Sequence, residues 1–185
     1  MFVGQSPTTV SANIEARASV SVTDALWTEA PIIQNLMQLY THDFSEFWGG
    51  TERGDLNAEG LFDSYPLDAY WSRPNWSAFL IRCRGTLAGF SLLNDQTHSG
   101  LAANRNMAEF FVVRKHRGRG VAQFAAEILY SLHPGLWEVA VTRKNVRARQ
   151  FWRKPMLHSG RASNVQELEL QNAQWNGPIF RFDWT

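Results

Sequence analysis

One stretch limits the folds open to this chain more than any other: Met107 to Ala122, MAEFFVVRKHRGRGVA. Phe110 to Val113 is a short apolar run of aromatic and β-branched residues, the composition of a buried strand. A basic loop with Gly118 and Gly120 follows it. Val121, Phe124, Ala125, Ile128, Leu129 and Leu132 then recur at the spacing of one buried helix face. The local order is therefore strand, glycine turn, helix. Glycines at 118 and 120 remove side chains that would hold a ligand away from the backbone, so amides at the helix start can face an anion. The helix terminus adds partial positive charge, and Arg117 and Arg119 add formal charge. A diphosphate suits such a turn, although a bare Gly-x-Gly is also common in ordinary turns.

At 185 residues the chain is long enough for one domain with a sizeable core, and 13% aromatic residues with eight Trp argue against disorder. The formal charge is only +1, but it is unevenly placed. Arg114, Lys115, Arg117, Arg119, Arg143, Lys144, Arg147, Arg149, Arg153 and Lys154 lie in a stretch whose only acids are Glu127 and Glu138. A basic run is a solvated face, a nucleic-acid footprint or a polyanion site; bracketing the glycine turn, this one favours a compact polyanion, and no nucleic-acid partner is expected. Cys83 is the only cysteine, so an intramolecular disulfide is excluded, and its alternation with Phe79 and Ile81 suggests a buried thiol. The sequence has no apolar run near the ~20 residues of a membrane span and no signal-type N-terminus. The expectation is a cytoplasmic protein without a membrane partner.

Along the chain, residues 1–16 have the composition of a flexible tail, and 17–185 form the expected domain. Ala18 to Val22 is a candidate first strand. Pro31 to Phe47 has helical spacing, with Pro31 at a favourable first position. From Trp48 to Asn75 glycines and prolines alternate with aromatic residues, which describes either a surface excursion pinned by its rings or a wall for an acceptor. Ser77 to Arg84 and Thr86 to Leu93 flank Gly85 as a hairpin, and Asn94 to Arg105 is polar loop. Trp137, Val139 and Val141 alternate as a strand parallel to the one before the turn, because a helix joins them. Asn145 is a good N-cap for a helix that Pro155 is expected to stop. The alternations at Glu167 to Leu170 and Phe180 to Trp184 predict a closing strand pair.

The string FFVVRKHRGRGVA resembles the acetyl-CoA-binding segment of the GNAT superfamily of N-acyltransferases, whose Arg/Gln-x-x-Gly-x-Gly/Ala pattern is carried here by Arg117, Gly120 and Ala122. A second match, NVRARQFW from Asn145 to Trp152, resembles that superfamily's Asn-x-x-Ala-x-x-Phe-Tyr element. The resemblance implies an α/β fold with a mixed sheet whose central strands splay apart between flanking helices. It implies acetyl-CoA as co-substrate and no metal. The backbone of Phe111, Val112 and Val113 would pair with pantetheine, and Arg117, Gly118, Arg119, Gly120, Val121 and Ala122 would hold the diphosphate. Asn145, Phe151 and Trp152 would flank the thioester.

The implied activity is N-acetyl transfer to a primary amine of a small molecule or peptide, by direct attack on the thioester. The Val112 amide would stabilise the oxyanion. Amines with pKa values near about 10.4 need a proton acceptor. Glu109 is the first candidate, its other reading being a structural pair with a nearby Arg; His42 and Asp43 are weaker ones. Asp43, Tyr70 and Trp71 are candidates for acceptor binding. Trp152 stands where many relatives place Tyr, and an indole donates a hydrogen bond without serving as an acid. The thiolate would then leave unaided or with help from Tyr40 or Tyr70. A non-catalytic acyl-CoA sensor or scaffold on the same fold is the alternative, and a homodimer is compatible with either.

Overall fold

The computed structural model describes residues 19–158 and 160–185, with side chains 155–158 excepted. The expected tail, 1–16, and Ala18 lie outside the described residues. β1 (Val20–Asp24), β2 (Ser77–Cys83), β3 (Thr86–Asn94), β4 (Arg105–Val112), β5 (Gly135–Ala140), β6 (Ala162–Gln171) and β7 (Asn176–Trp184) form one sheet in the order β1-β2-β3-β4-β5-β7-β6. Every neighbouring pair is antiparallel except β4 and β5. The helices are α1 (Ala30–Ser45), the single turn α2 (Ala69–Ser72), α3 (Val121–Leu132) and α4 (Val146–His158).

The two sheet faces bury different helices. Ile33, Leu36 and Met37 of α1 pack with Leu80, Phe90, Leu92 and Phe111. On the other face Ala126, Leu129 and Tyr130 of α3 and Trp152 of α4 pack with Trp137, Val139, Phe180 and Phe182. Burial of these apolar faces is the main stabilising term. α3 turns slightly from its expected orientation: Ala126 and Tyr130 are buried, while Leu132 is 56% exposed. Cys83 is half-buried rather than buried. α4 does not stop at Pro155 but runs on to His158. Proline removes one main-chain donor, and the packing of Ala148, Phe151 and Trp152 on the sheet outweighs that loss.

β4 and β5 set the geometry of everything that follows. They pair only at Arg105–Trp137 and Asn106–Glu138 and then part, so from Met107 onward the β5-facing edge of β4 has no partner strand. Gly89 on β3 fixes the other edge of β4. A Cβ there would lie 1.9 Å from the Phe111 carbonyl oxygen. A bulge also interrupts β4: Leu92 pairs with Glu109 and Leu93 with Met107, which leaves Ala108 as the extra residue. The bulge shifts the phase of the strand, so Met107 joins Phe110 on the α3/α4 face and Glu109 falls on the α1 face. None of the described helices is long and apolar enough to cross a membrane.

Candidate active site

A cleft of about 520 Å³ occupies the gap between the splayed strands. Ala108, Glu109 and Phe110 line it from β4, Val139 and Ala140 from β5, Asn145 and Trp152 from α4 and the residue before it, and Tyr40 from α1. Because the strands part, the cleft opens toward both faces of the sheet.

At the C-terminal end of β4 the chain forms the glycine turn. Gly118 and Gly120 take φ of 72° and 79°, in the left-handed region, and a Cβ at 120 would also meet the Phe124 ring at 2.8 Å. Among the described residues no acceptor receives the amides of Gly118, Arg119, Gly120, Val121, Ala122 or Gln123. The first of the intrahelical bonds near this end runs from the Phe124 amide to the Gly120 carbonyl, 3.0 Å. The start of α3 is thus a set of converging, uncapped donors with the helix dipole behind them. Val113 donates to the Ala88 carbonyl at 2.9 Å, so by strand alternation the Val112 amide points away from β3, toward the gap.

The charges around the turn divide. Arg117 Nε donates to the Val112 carbonyl at 2.6 Å, and its Nη2 reaches Asp43 at 2.6 Å. Arg114 holds the other Asp43 oxygen at 2.6 Å. Partial burial raises the Asp43 pKa, but the two guanidiniums outweigh it and hold the carboxyl below its ordinary value. Arg117 is therefore spent on joining strand, turn and α1, whereas exposed Arg119 makes no ion pair among the described residues. Further along, Arg149 and Arg153 pair with Glu167 on β6, and Arg143 with Glu169, so much of the basic stretch is neutralised within the fold.

Glu109 sits among tyrosines. Burial raises its pKa to about 7; the nearby Tyr40 and Tyr65 hydroxyls and the charge of Arg53 act in the opposite direction. Tyr40 is itself pushed well up by burial and by Glu109, so it stays protonated. Tyr65 also contacts Tyr70, and Tyr70 contacts Asn94. Tyrosines surround the carboxyl, and among the described residues it forms no ion pair with an arginine. Of the two expected acid candidates, Tyr40 lines the cleft and Tyr70 does not.

The acceptor-side expectation needs revision. Asp43, Tyr70 and Trp71 do not line the cleft. Asp43 is held by two arginines, Tyr70 is buried against the α1 face, and Trp71 Nε1 donates to the Ala25 carbonyl at 2.7 Å. The aromatic wall consists instead of Tyr40, Phe44, Trp48, Tyr65 and Trp175. Trp48 and Tyr65 do come from the aromatic loop. Of the residues expected beside a thioester, Asn145 Oδ1 accepts from the Ala148 amide at 3.0 Å, capping α4, and Phe151 and Trp152 flank Phe110 at ring separations of 6.3 and 5.2 Å.

One buried element belongs to neither motif. Glu138 and Arg181, aligned on β5 and β7, form a 2.6 Å ion pair with side chains 0% and 7% exposed. Glu138 also accepts from the His98 and Ser99 amides at 2.6 and 3.1 Å, and Arg181 donates to the Ala102 carbonyl at 2.6 Å. The pair fastens the loop that carries His98 to the rim of the cleft. Its only signal in the sequence is that each residue is a lone charge inside an apolar run, and that the two signs are opposite.

The sequence matches no family model and no curated protein. Solved structures do match the fold. An acetyltransferase from Thermus thermophilus aligns with a TM-score of 0.62 at 14% identity, over 90% of this chain and 97% of that one. The paia N-acetyltransferase of Thermoplasma acidophilum, solved in complex with coenzyme A, aligns at 0.58 with 9% identity, over 90% and 99%. A GNAT-family acetyltransferase from Staphylococcus aureus aligns at 0.53 with 5% identity, over 90% and 100%. At these identities the likeness is one of fold: a mixed sheet flanked by helices, as in GNAT acetyltransferases.

Proposed function

We propose that the chain is an acetyl-CoA-dependent N-acetyltransferase that moves the acetyl group directly to a primary amine of a small molecule or peptide. The observation that carries this reading is Glu109 in the cleft that β4 and β5 open by parting, on the same strand whose C-terminal end leads to the uncapped amides at the start of α3. Those amides suit a diphosphate, with Arg119 supplying free charge. Of the expected Phe111, Val112 and Val113, the Val113 amide is taken by the Ala88 carbonyl, and by strand alternation it is the edge at Phe110 and Val112 that suits an extended amide-bearing arm.

In the reaction the amine nitrogen attacks the thioester carbonyl while Glu109 takes the amine proton. A carboxyl poised near pH 7 suits this role, since a base must be ionised in the free enzyme yet hold the proton it receives. The Val112 amide is placed to donate to the oxygen as negative charge builds on it. The carbon–sulfur bond breaks and the coenzyme departs as thiolate. Tyr40 and Tyr65 are the polar neighbours of the Glu109 carboxyl.

The competing reading, an acyl-CoA sensor, draws on Trp152 in place of tyrosine. The Glu109–tyrosine arrangement favours catalysis, because a sensor has no use for a carboxyl held near neutrality in its cleft. The test is thiol release from acetyl-CoA across a panel of amines, beside calorimetry with coenzyme A. Binding together with amine-dependent release supports the enzyme; binding without release from any amine supports the sensor; no binding removes both.

A further inference from the structure

A second hollow of about 450 Å³ adjoins the cleft, sharing Glu109, His98 and Gln174 with it. Its polar lining is Asn94, Gln96, Thr97, His98, Asn106 and Gln174, and Glu109 is its only charged group. These residues come from the end of β3, the loop after it, the start of β4 and the β6–β7 turn. Four are carboxamides, which offer donor and acceptor together.

Two of them are already fixed. Asn94 Oδ1 accepts from the Gln96 amide at 3.1 Å and from Asn106 Nδ2 at 2.9 Å. That leaves the Asn106 carbonyl oxygen buried without a partner, in a residue only 1% exposed. His98 Nδ1 and Trp175 Nε1 are likewise buried and unpaired, and their rings pack 4.3 Å apart at the boundary of the two hollows. An unpaired buried polar group is destabilising until something pairs it. Two such groups, Asn106 Oδ1 and His98 Nδ1, belong to residues that line the hollow, and the third, on Trp175, lines the adjoining cleft; together they describe a surface that is completed by a ligand.

We infer that this hollow is the acceptor subsite, and that it takes a monoamine carried on a compact, uncharged, hydroxyl-rich frame of the amino-sugar type. The inference rests on the proposed acetyl transfer, with the amine directed at Glu109. A single carboxylate matches a single ammonium, so a polyamine would leave further charges unmet. Hydroxyls both donate and accept, and they radiate around a ring as the carboxamides do around the hollow. The Asn106 oxygen needs a donor, which a hydroxyl supplies. A peptide would need a row of main-chain partners along a strand edge, whereas the lining residues come from four separate segments of the chain. The His98 ring, backed by Trp175, offers an aromatic surface to the C–H face of a ring.

The test measures acetyl-CoA-dependent thiol release with D-glucosamine, 2-phenylethylamine and trialanine, alongside calorimetry with coenzyme A. The expected result is a kcat/KM for glucosamine at least tenfold above the other two. Asn106→Leu and, on the exposed β6–β7 turn, Gln174→Ala should each cut the preference for glucosamine over phenylethylamine about tenfold. Gln174→Ala answers the question even if Asn106→Leu fails to fold. Preference for trialanine or phenylethylamine, or a preference that neither variant changes, overturns the subsite and leaves the transferase reading standing. Coenzyme binding with no transfer to any of the three also overturns it. Absence of coenzyme binding removes the transferase reading and the subsite with it.

Discussion

Arg117 reaches back over the turn to place its Nε 2.6 Å from the carbonyl oxygen of Val112. The tie joins the last residue of β4 to the loop that precedes α3, and it leaves the Val112 amide as the group turned toward the gap. Arg117 also lies over the Phe111 ring, 5.3 Å from its centre. It therefore shapes the turn more than it charges it. Replacing it with Met should lower stability by ~1 kcal/mol, a discounted figure for a charged hydrogen bond that is 44% solvent-exposed. That corresponds to a fall in Tm of about 2–4 °C at this chain length, readable by scanning calorimetry.

Arg119 is the complementary case. It is exposed and bonds to nothing among the described residues, so Arg119→Glu should leave Tm within a degree or so of wild type. Its charge stands beside the uncapped amides, however, and reversing it should weaken coenzyme A binding about tenfold or more, roughly 1.4 kcal/mol. Isothermal calorimetry at two salt concentrations checks this, with the larger loss at low salt.

The raised pKa of Glu109, about 7, gives two pH effects of opposite benefit. Activity should climb as pH rises through about 7 and the carboxylate forms. Glu109→Gln should abolish that limb and lower kcat/KM by about 10²–10⁴-fold. Stability runs the other way. The folded protein holds this proton more tightly than the unfolded chain, so the contribution is fully present below the ordinary Glu pKa of 4.5 and is lost as pH rises toward 7. The Tm of Glu109→Gln relative to wild type should therefore be higher at pH 8 than at pH 5. A flat difference across that range would show that burial does not hold the proton.

Breaking the Glu138–Arg181 pair should be costly. Glu138→Ala leaves a buried guanidinium uncompensated and releases the His98 and Ser99 amides. A loss of about 3–5 kcal/mol is expected, measurable by urea unfolding. Adding Arg181→Met to Glu138→Ala should recover most of it, since two neutral groups no longer bury a lone charge.

Several of these features are legible in the amino-acid sequence alone. The apolar period of α3, the glycines of the turn, the hairpin around Gly85 and the cap at Asn145 are local. Each is set by interactions within a few residues of chain, and the sequence states those directly. The bulge at Ala108 is not among them, since only the strand pairing shows that Met107 and Phe110 share one face.

The cleft is legible only in part. Glu109 can be named from its place beside the turn, but its surroundings include Tyr40 and Tyr65, which approach from α1 and from the aromatic loop. Asp43, Tyr70 and Trp71 are of the right chemical type for an acceptor site, yet packing turns them elsewhere. The wall comes instead from Phe44, Trp48 and, more than a hundred residues on, Trp175. A sequence determines which groups a strand or helix can offer, because that choice is local. Which of those groups share one hollow is decided by close packing between distant segments, where a rotation of a helix or one extra residue in a strand changes what faces the gap.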